Sequence, residues 1–445
     1  MAATKPGKAE TLAAFYDEGT YTALFADGPV SAAYGCANGQ SVYVVYQNGQ
    51  PLDVSDIEKT IRVLKMAAET GAPVVTFYNS NGACLEGGLK LLNANSELMA
   101  QIARISGVVP QIAVVTGICA GSAAVQAAAA DLCIMSEEAE LFLNAPFNSD
   151  DKIEKAGSAA FAARAGVAAV TAKDALDAAQ QASRIAGLMP SNNLAGPAVF
   201  DFAAPAKTLN LAQYAPADAA AALADADSVV ELYGGYGKAV YTALATVGGM
   251  TAGIVATAKS SINHHCTAKA ARFIRLCDAY SIPVLTVVNT EGFVRSEGDD
   301  MAGGIRQAAR LAGVYAEATT VKVAVLAGEA VGPIYTVFAA SADWRVAVEG
   351  CTVAPLAPEA AVSVLYKDEI DGSDNIQQAT KAKADAYRKD VASAQAAVAA
   401  GAADAAVAAA DVRNAVAQAL DMLASKRAVR LAKKHGNISL YIMIL

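Results

Sequence analysis

Histidine is scarce in this chain, with three residues in 445. So few imidazoles leave little room for histidine-based acid–base chemistry. The adjacent pair His264-His265 has no Ser-His-Asp or metal-ligand pattern around it in sequence, so a structural or surface role is expected there. The seven cysteines (36, 84, 119, 133, 266, 277 and 351) are scattered and include no C-x-x-C pair. An odd, dispersed set suits neither a disulfide framework nor a zinc site, so reduced thiols and no bound metal are expected. Basic charge is also in deficit, 34 Lys and Arg against 43 Asp and Glu, for a formal charge of −9. That balance argues against nucleic acid or an anionic membrane as the main partner. No charge-free apolar run is long enough to cross a bilayer, and the first ten residues lack the apolar core of a signal peptide. A soluble, cytoplasmic protein is the expectation. The ending, residues 438–445, is apolar but too short to span, and is expected to dock on its own domain or on a neighbouring subunit.

What the chain does have is material for more than one core, since 54% of its residues are hydrophobic. It also repeats itself. Pro73-Val-Val-Thr-Phe-Tyr-Asn79-Ser80-Asn81-Gly82 returns 210 residues later as Pro283-Val-Leu-Thr-Val-Val-Asn289-Thr290-Glu291-Gly292. Gly39 and Gly249 keep the same offset of 210, Gly121 and Gly332 are 211 apart, and Asp131 and Asp343 are 212 apart. Four landmarks in one order with so little drift indicate two copies of one domain, and the period is far above that of a solenoid. Residues 1–205 and 206–445 are therefore read as two α/β domains. The Pro- and Ala-rich stretch from Met189 to Pro216 is the linker region.

Within each copy, strands alternate with helices. Residues 42–47, 74–78 and 111–116 read as strands in the first, and 284–288 and 321–326 in the second. Residues 56–70, with Ile57, Ile61, Leu64 and Ala68 on one face, read as a helix. This order predicts parallel sheets covered by helices. The Ala-rich residues 374–424 are expected to be helices closing the second domain.

Several segments resemble the biotin-dependent acyl-CoA carboxyltransferases, a family that includes subunits of propionyl- and acetyl-CoA carboxylases and of methylmalonyl- and glutaconyl-CoA decarboxylases. They are Phe15-Tyr-Asp-Glu-Gly-Thr-Tyr-Thr-Ala-Leu24, Val109-Pro-Gln-Ile-Ala-Val-Val-Thr-Gly-Ile-Cys-Ala-Gly121, Ala270-Ala-Arg-Phe-Ile-Arg-Leu-Cys-Asp278 and Lys433-Lys-His-Gly-Asn-Ile438. The resemblance implies two tandem domains of the ClpP/crotonase ββα-superhelix type. It also implies active sites formed between the first domain of one subunit and the second domain of another, in dimer-based homo-oligomers that include hexamers.

Carboxyl transfer in such a family develops negative charge on a thioester enolate and on the ureido oxygen of biotin. Fixed N–H donors are suited to both, and removing one such donor typically costs about 2.7–4 kcal/mol in the transition state. Glycine turns entering helices present such donors. The resemblance implies that the main-chain groups of Gly121 and Ser122 serve one turn and those of Gly332 and Ile334 the other. Gly82, Ala83, Cys84, Ala120, Ala123, Gly292, Phe293, Pro333, Tyr335 and Thr336 would form the surrounding pocket for CoA or biotin. The substrate would be a short acyl-CoA of the malonyl or methylmalonyl type.

This sequence departs from the family at both turns. Ala120-Gly121-Ser122-Ala123 stands where a Gly-Gly pair is usual, and Gly332-Pro333-Ile334 stands where the second turn reads Gly-Gly-Ala. Cys84 replaces an arginine, and Gly328-Glu329 replaces an Arg-Lys pair. The chain carries neither a Met-Lys-Met biotin-attachment signature nor a Gly-rich ATP-binding pattern. Biotin would come on a separate carrier protein, with a biotin carboxylase or membrane decarboxylase subunits as further partners. Because proline has no N–H, the alternative is a catalytically weakened or non-catalytic scaffold subunit. A crotonase-type hydratase or isomerase is disfavoured, because no carboxylate directly follows either turn.

Overall fold

The computed structural model describes residues 6–144, 156–205 and 207–429; residues 433–445, discussed above for the family ending and for docking, lie outside them. The chain divides into two compact units. One comprises Met1–Ala198 with Leu232–Tyr236, and the other comprises Val199–Glu231 with Gly237–Leu445.

The first unit is built on the strands β1 (Thr22–Leu24), β2 (Val30–Ala37), β3 (Gln40–Gln47), β4 (Val74–Tyr78), β5 (Gln111–Val115), β6 (Ile118–Ala120), β7 (Leu132–Ser136), β8 (Glu140–Phe142) and β9 (Val170–Ala172). Seven form one sheet in the order β1-β2-β3-β4-β5-β7-β9, while β6 and β8 form a separate parallel pair. A tight hairpin joins β2 to β3 in the register Val30↔Gln47 to Ala37↔Gln40. Its turn needs a left-handed residue, supplied by Gly39 at φ 76°. From β3 onward the pairing in the large sheet is parallel, and β4 and β5 are buried along their whole length. Continuous burial explains why their sequences are apolar without alternation.

The helix Val54–Thr70 begins two residues before the expected position because Asp53 caps it. The Asp53 carboxylate accepts from Asp56 N at 2.9 Å, and that of Asp56 accepts from Asp53 N at 3.2 Å. Ile57, Ile61 and Leu64 from its inner face pack with Val74 and Ile102. The following helix, Gly88–Ile105, covers the same core.

The second unit repeats this plan with β10 (Val230–Leu232), β11 (Val240–Val247), β12 (Met250–Thr257), β13 (Val284–Val288), β14 (Lys322–Leu326), β15 (Glu329–Val331), β16 (Trp344–Val348), β17 (Thr352–Ala354) and β18 (Ala405–Val407). The sheet order β10-β11-β12-β13-β14-β16-β18 matches the first, and β15 and β17 form the equivalent small pair. Side-chain anchors repeat as well. Asp131 accepts from Gln111 N at 2.9 Å, as Asp343 does from Lys322 N at 2.8 Å. The hairpin turn is held by Asp17 in the first unit (Asn38 N, 3.0 Å; Gly39 N, 2.8 Å). Asp225 holds it in the second (Gly248 N, 3.0 Å; Gly249 N, 2.8 Å).

Residues 374–424 contain the helices Ile376–Asp390, Ala394–Ala399 and Val412–Leu423, as expected of an Ala-rich segment. They also contain β18, which composition hides. It pairs in parallel with β16 at Val346↔Ala405, so the sheet edge is set by tertiary pairing rather than by propensity. Among the described residues no helix is long and apolar enough to cross a membrane.

Candidate active site

In each unit two segments meet where the large sheet hands over to the small strand pair. In the first unit the loop 79–84 leaves β4 and runs beside β6, with Ser80 N donating to Ile118 O at 2.9 Å. This approach depends on Gly117. A β-carbon there would lie 1.9 Å from Asn79 Oδ1. The second unit repeats the arrangement: Thr290 N donates to Glu329 O at 3.2 Å, and a β-carbon on Gly328 would lie 2.1 Å from Asn289 Oδ1.

The loop is stitched to the strap that precedes the first long helix. Leu52 N donates to Gly82 O and Cys84 N donates to Leu52 O, both at 2.9 Å. Gly82, at φ 113°, also gives its N–H to Ser80 Oγ at 3.1 Å. Between these two paired residues the amide of Ala83 has no acceptor among the described residues. In the second unit, Ile262 N donates to Gly292 O (2.8 Å) and Val294 N to Ile262 O (2.9 Å). Gly292 sits at φ 123°, and the amide of Phe293 is left over in the same way. Parallel bridges at Leu52↔Ala83 and Ile262↔Phe293 direct both amides away from the strap.

The glycine turns follow β6 and β15. Gly121 (φ 59°, ψ −125°) and Gly332 (φ 53°, ψ −121°) cap the helices Ser122–Ala129 and Pro333–Phe338 in nearly the same conformation. Their own amides are already engaged: Gly121 N donates to Phe142 O at 3.0 Å and Gly332 N to Ala354 O at 2.8 Å. Both glycine amides are thus bonded within the small strand pairs, and the groups left over are at the helix starts. In the first unit these are the amides of Ser122 and Ala123, because the carbonyl of Gly121 already receives Ala124 N at 3.1 Å. In the second, Pro333 has no N–H, so the amide of Ile334 is the first one present.

The other expected site residues divide. Ala120 ends β6 directly before the turn, Ser122 and Ala83 are exposed, and Ala123, Cys84 and Phe293 are half-buried. Pro333 and Thr336 are exposed, with Thr336 Oγ1 turned back onto Gly332 O at 3.4 Å. Ile334 as a whole is 1% exposed, and its side chain is part of the core. Tyr335 is half-buried. Its hydroxyl donates to Ala402 O at 2.9 Å and accepts from Arg345 Nη1 at 3.0 Å, so the ring anchors the helix to the unit's interior.

Glu329 is not an isolated reversal of charge. Its carboxylate helps to raise the pKa of Arg388, whose main partner is Glu359, and it adds to the burial that pushes the Cys351 thiol up to about 11. Beside it a cavity of about 330 Å³ is lined by Lys259, Asn289, Glu291, Gly328, Glu329 and Thr352. Sequence reasoning placed Ala83 and Phe293 in the expected pocket but did not single out their amides. The available signal was their shared place one residue after a glycine at the 210 offset.

The sequence profile of the carboxyl transferase domain family matches residues 5–438. Across 440 aligned residues the chain is 29% identical to the methylmalonyl-CoA carboxyltransferase 12S subunit of Propionibacterium freudenreichii subsp. shermanii, covering 93% of this chain and 84% of that one. It is 28% identical to the methylmalonyl-CoA decarboxylase subunit alpha of Propionigenium modestum, covering 97% and 92%. Its fold superposes on the crystal structure of a transcarboxylase 12S hexamer with TM-score 0.90 at 26% identity, covering 97% of this chain and 92% of that one. The chain therefore belongs to the carboxyl transferase domain family, with the tandem crotonase-like architecture. It is a carboxyltransferase subunit of the biotin-dependent acyl-CoA carboxylase and decarboxylase class.

Proposed function

We propose that this chain moves a carboxyl group between biotin, delivered on a separate carrier protein, and a short acyl-CoA of the propionyl/methylmalonyl type. Backbone amides are the groups that stabilise the developing oxyanions. The observation that carries this reading is that each unit leaves over a loop amide and a helix-start amide, those of Ala83 and Ser122 in the first and of Phe293 and Ile334 in the second. Such donors are held by β pairing and helix geometry, so they need not reorganise as charge develops. Biotin supplies the ureido nitrogen that carries the carboxyl group. The chain contributes acceptor-free amides that fit a thioester or ureido oxygen, and no proton-transferring side chain is required at either turn. The methylmalonyl-CoA named for the bound transcarboxylase structure, and its hexamer assembly, support a similar substrate and a homo-oligomer here.

The two units are not equivalent. Ser122 has an amide where Pro333 has none, so the second turn has one donor fewer and must rely on the next residue. This favours a second reading, in which the chain is a weakened or scaffold subunit beside an active one. The experiment that separates them mixes the purified chain with biotin or biotinylated carrier and a set of acyl- and carboxyacyl-CoAs. Carboxyl exchange is then followed by mass spectrometry. Exchange with methylmalonyl-CoA supports the catalytic reading, and CoA binding without exchange supports the scaffold.

A further inference from the structure

The segment carrying the Phe293 amide has no hydrophobic anchor. From Glu291 to Arg306 no residue is buried, including the short helix Glu297–Met301, and Met301 and Ile305 are 82% and 77% exposed. A stretch without buried apolar contacts opens locally at low cost unless polar contacts hold it. At its start it is held by Ile262, which pairs on both sides of Phe293. Beyond Val294, the bonds that tie residues 295–302 to another element, among the described residues, run from Asp299 to His264. The Asp299 Oδ1 atom accepts from His264 Nδ1 at 2.6 Å and from His264 N at 3.1 Å.

The pair is built rather than incidental. The Asp299 and His264 side chains are 10% and 23% exposed, and the His265 ring packs 3.9 Å from that of His264. Asp299 N is itself held by Ser296 Oγ at 3.1 Å, which orients the short helix. The carboxylate also lies at the start of the helix His264–Ala279, where unsatisfied N–H groups and the helix dipole favour negative charge. In the first unit the residue at the 210 offset is Val54. It packs near Gly87 instead, and the loop passes directly into the helix Gly88–Ile105. The latch is thus particular to the second unit, where the unburied segment is longer.

We propose that His264 and Asp299 are positioning residues, a polar latch that holds residues 292–302 so that the Phe293 amide stays directed at the site. The latch follows from the fold alone, and its catalytic consequence rests on the functional reading above. The structure links His264 to the site through its neighbour Ile262, which brackets Phe293, and through Asp299 on the far side of the loop.

The test compares the full-length wild-type chain with D299L, H264V and D299N by amide hydrogen exchange without substrate. Carboxyl exchange between methylmalonyl-CoA and biotin is measured alongside. D299L, which removes both bonds, should speed exchange in peptides spanning 292–303 at least tenfold and lower kcat at least fivefold, with KM within twofold. H264V keeps the backbone donor and should fall between D299L and wild type. D299N keeps an acceptor and should restore most of the protection and rate. Wild-type protection of 292–303 in D299L would overturn the latch, and faster exchange with unchanged kcat would overturn its positioning role. An inactive wild-type protein would count against the functional reading alone, since hydrogen exchange still upholds or overturns the latch. If D299L fails to fold, H264V and D299N decide the matter in the same assay.

Discussion

The chain contains its own control for removing one backbone donor. Ser122 and Pro333 occupy the same place in the two copies, directly after glycines whose φ and ψ differ by only a few degrees. Proline also suits the first turn of a helix, where its missing N–H breaks no intrahelical bond. Ser122→Pro should therefore fold with the native turn and delete a single N–H from the first site. The Ser122 side chain is exposed, so no core packing is lost. Loss of one oxyanion donor costs about 2.7–4 kcal/mol of transition-state stabilisation, equivalent to about 10²–10³ in kcat. Ser122→Ala removes the hydroxyl but keeps the amide, and should stay within about threefold of wild type. The assay is carboxyl exchange between methylmalonyl-CoA and biotin, with thermal melting to confirm the fold. A Ser122→Pro protein that melts normally and retains wild-type kcat would refute the backbone-donor mechanism. Equal losses in Ser122→Pro and Ser122→Ala would shift the role to the hydroxyl.

The reciprocal change, Pro333→Ser, adds an amide to the second turn and should raise the exchange rate about tenfold or more, read in the same assay. Gly328→Ala places a β-carbon 2.1 Å from Asn289 Oδ1, so about 1–3 kcal/mol of stability should be lost, measured by urea unfolding. Asp225 is 1% exposed and receives Arg413 Nη2 at 2.8 Å together with Gly248 N and Gly249 N. Asp225→Ala should cost about 3 kcal/mol at neutral pH, because it leaves the Arg413 charge without its carboxylate and Nη2 and two turn amides without their acceptor, while Nη1 keeps Leu223 O and Ala224 O. Burial alone would raise the Asp225 pKa, but Arg413 and the turn amides outweigh it and hold the carboxyl below its ordinary value. A carboxylate lowered in the folded state stabilises above its unfolded pKa of about 3.9 and loses that contribution as pH falls through the folded value. The difference between wild type and Asp225→Ala should therefore shrink below about pH 4, as followed by urea unfolding across pH.

The duplication was legible because it is written in residues that the fold constrains directly. Gly39 and Gly249 serve left-handed hairpin turns, Asp131 and Asp343 cap the start of a strand, and the apolar runs of β4 and β13 lie inside their sheets. Which amides are left without an intrachain bond was less legible. Which amide is free depends on the pairing of β6 with β8, which joins residues about twenty positions apart, and a glycine turn in sequence does not show that its own N–H is already engaged. Tyr335 illustrates the same limit, because its partner Ala402 is 67 residues away. So does the pair His264 and Asp299, separated by 35 residues and invisible as a motif. β18 escaped notice because alanine favours helix, whereas the open edge of β16 favours strand at that place.

The most direct measurement is a crystal structure of the full-length protein with a CoA thioester bound in the first unit. The account predicts the thioester oxygen within about 2.7–3.1 Å of both Ala83 N and Ser122 N, with Gly121 N still bonded to Phe142 O. An oxygen held instead by a side chain, or by neither amide, would contradict it.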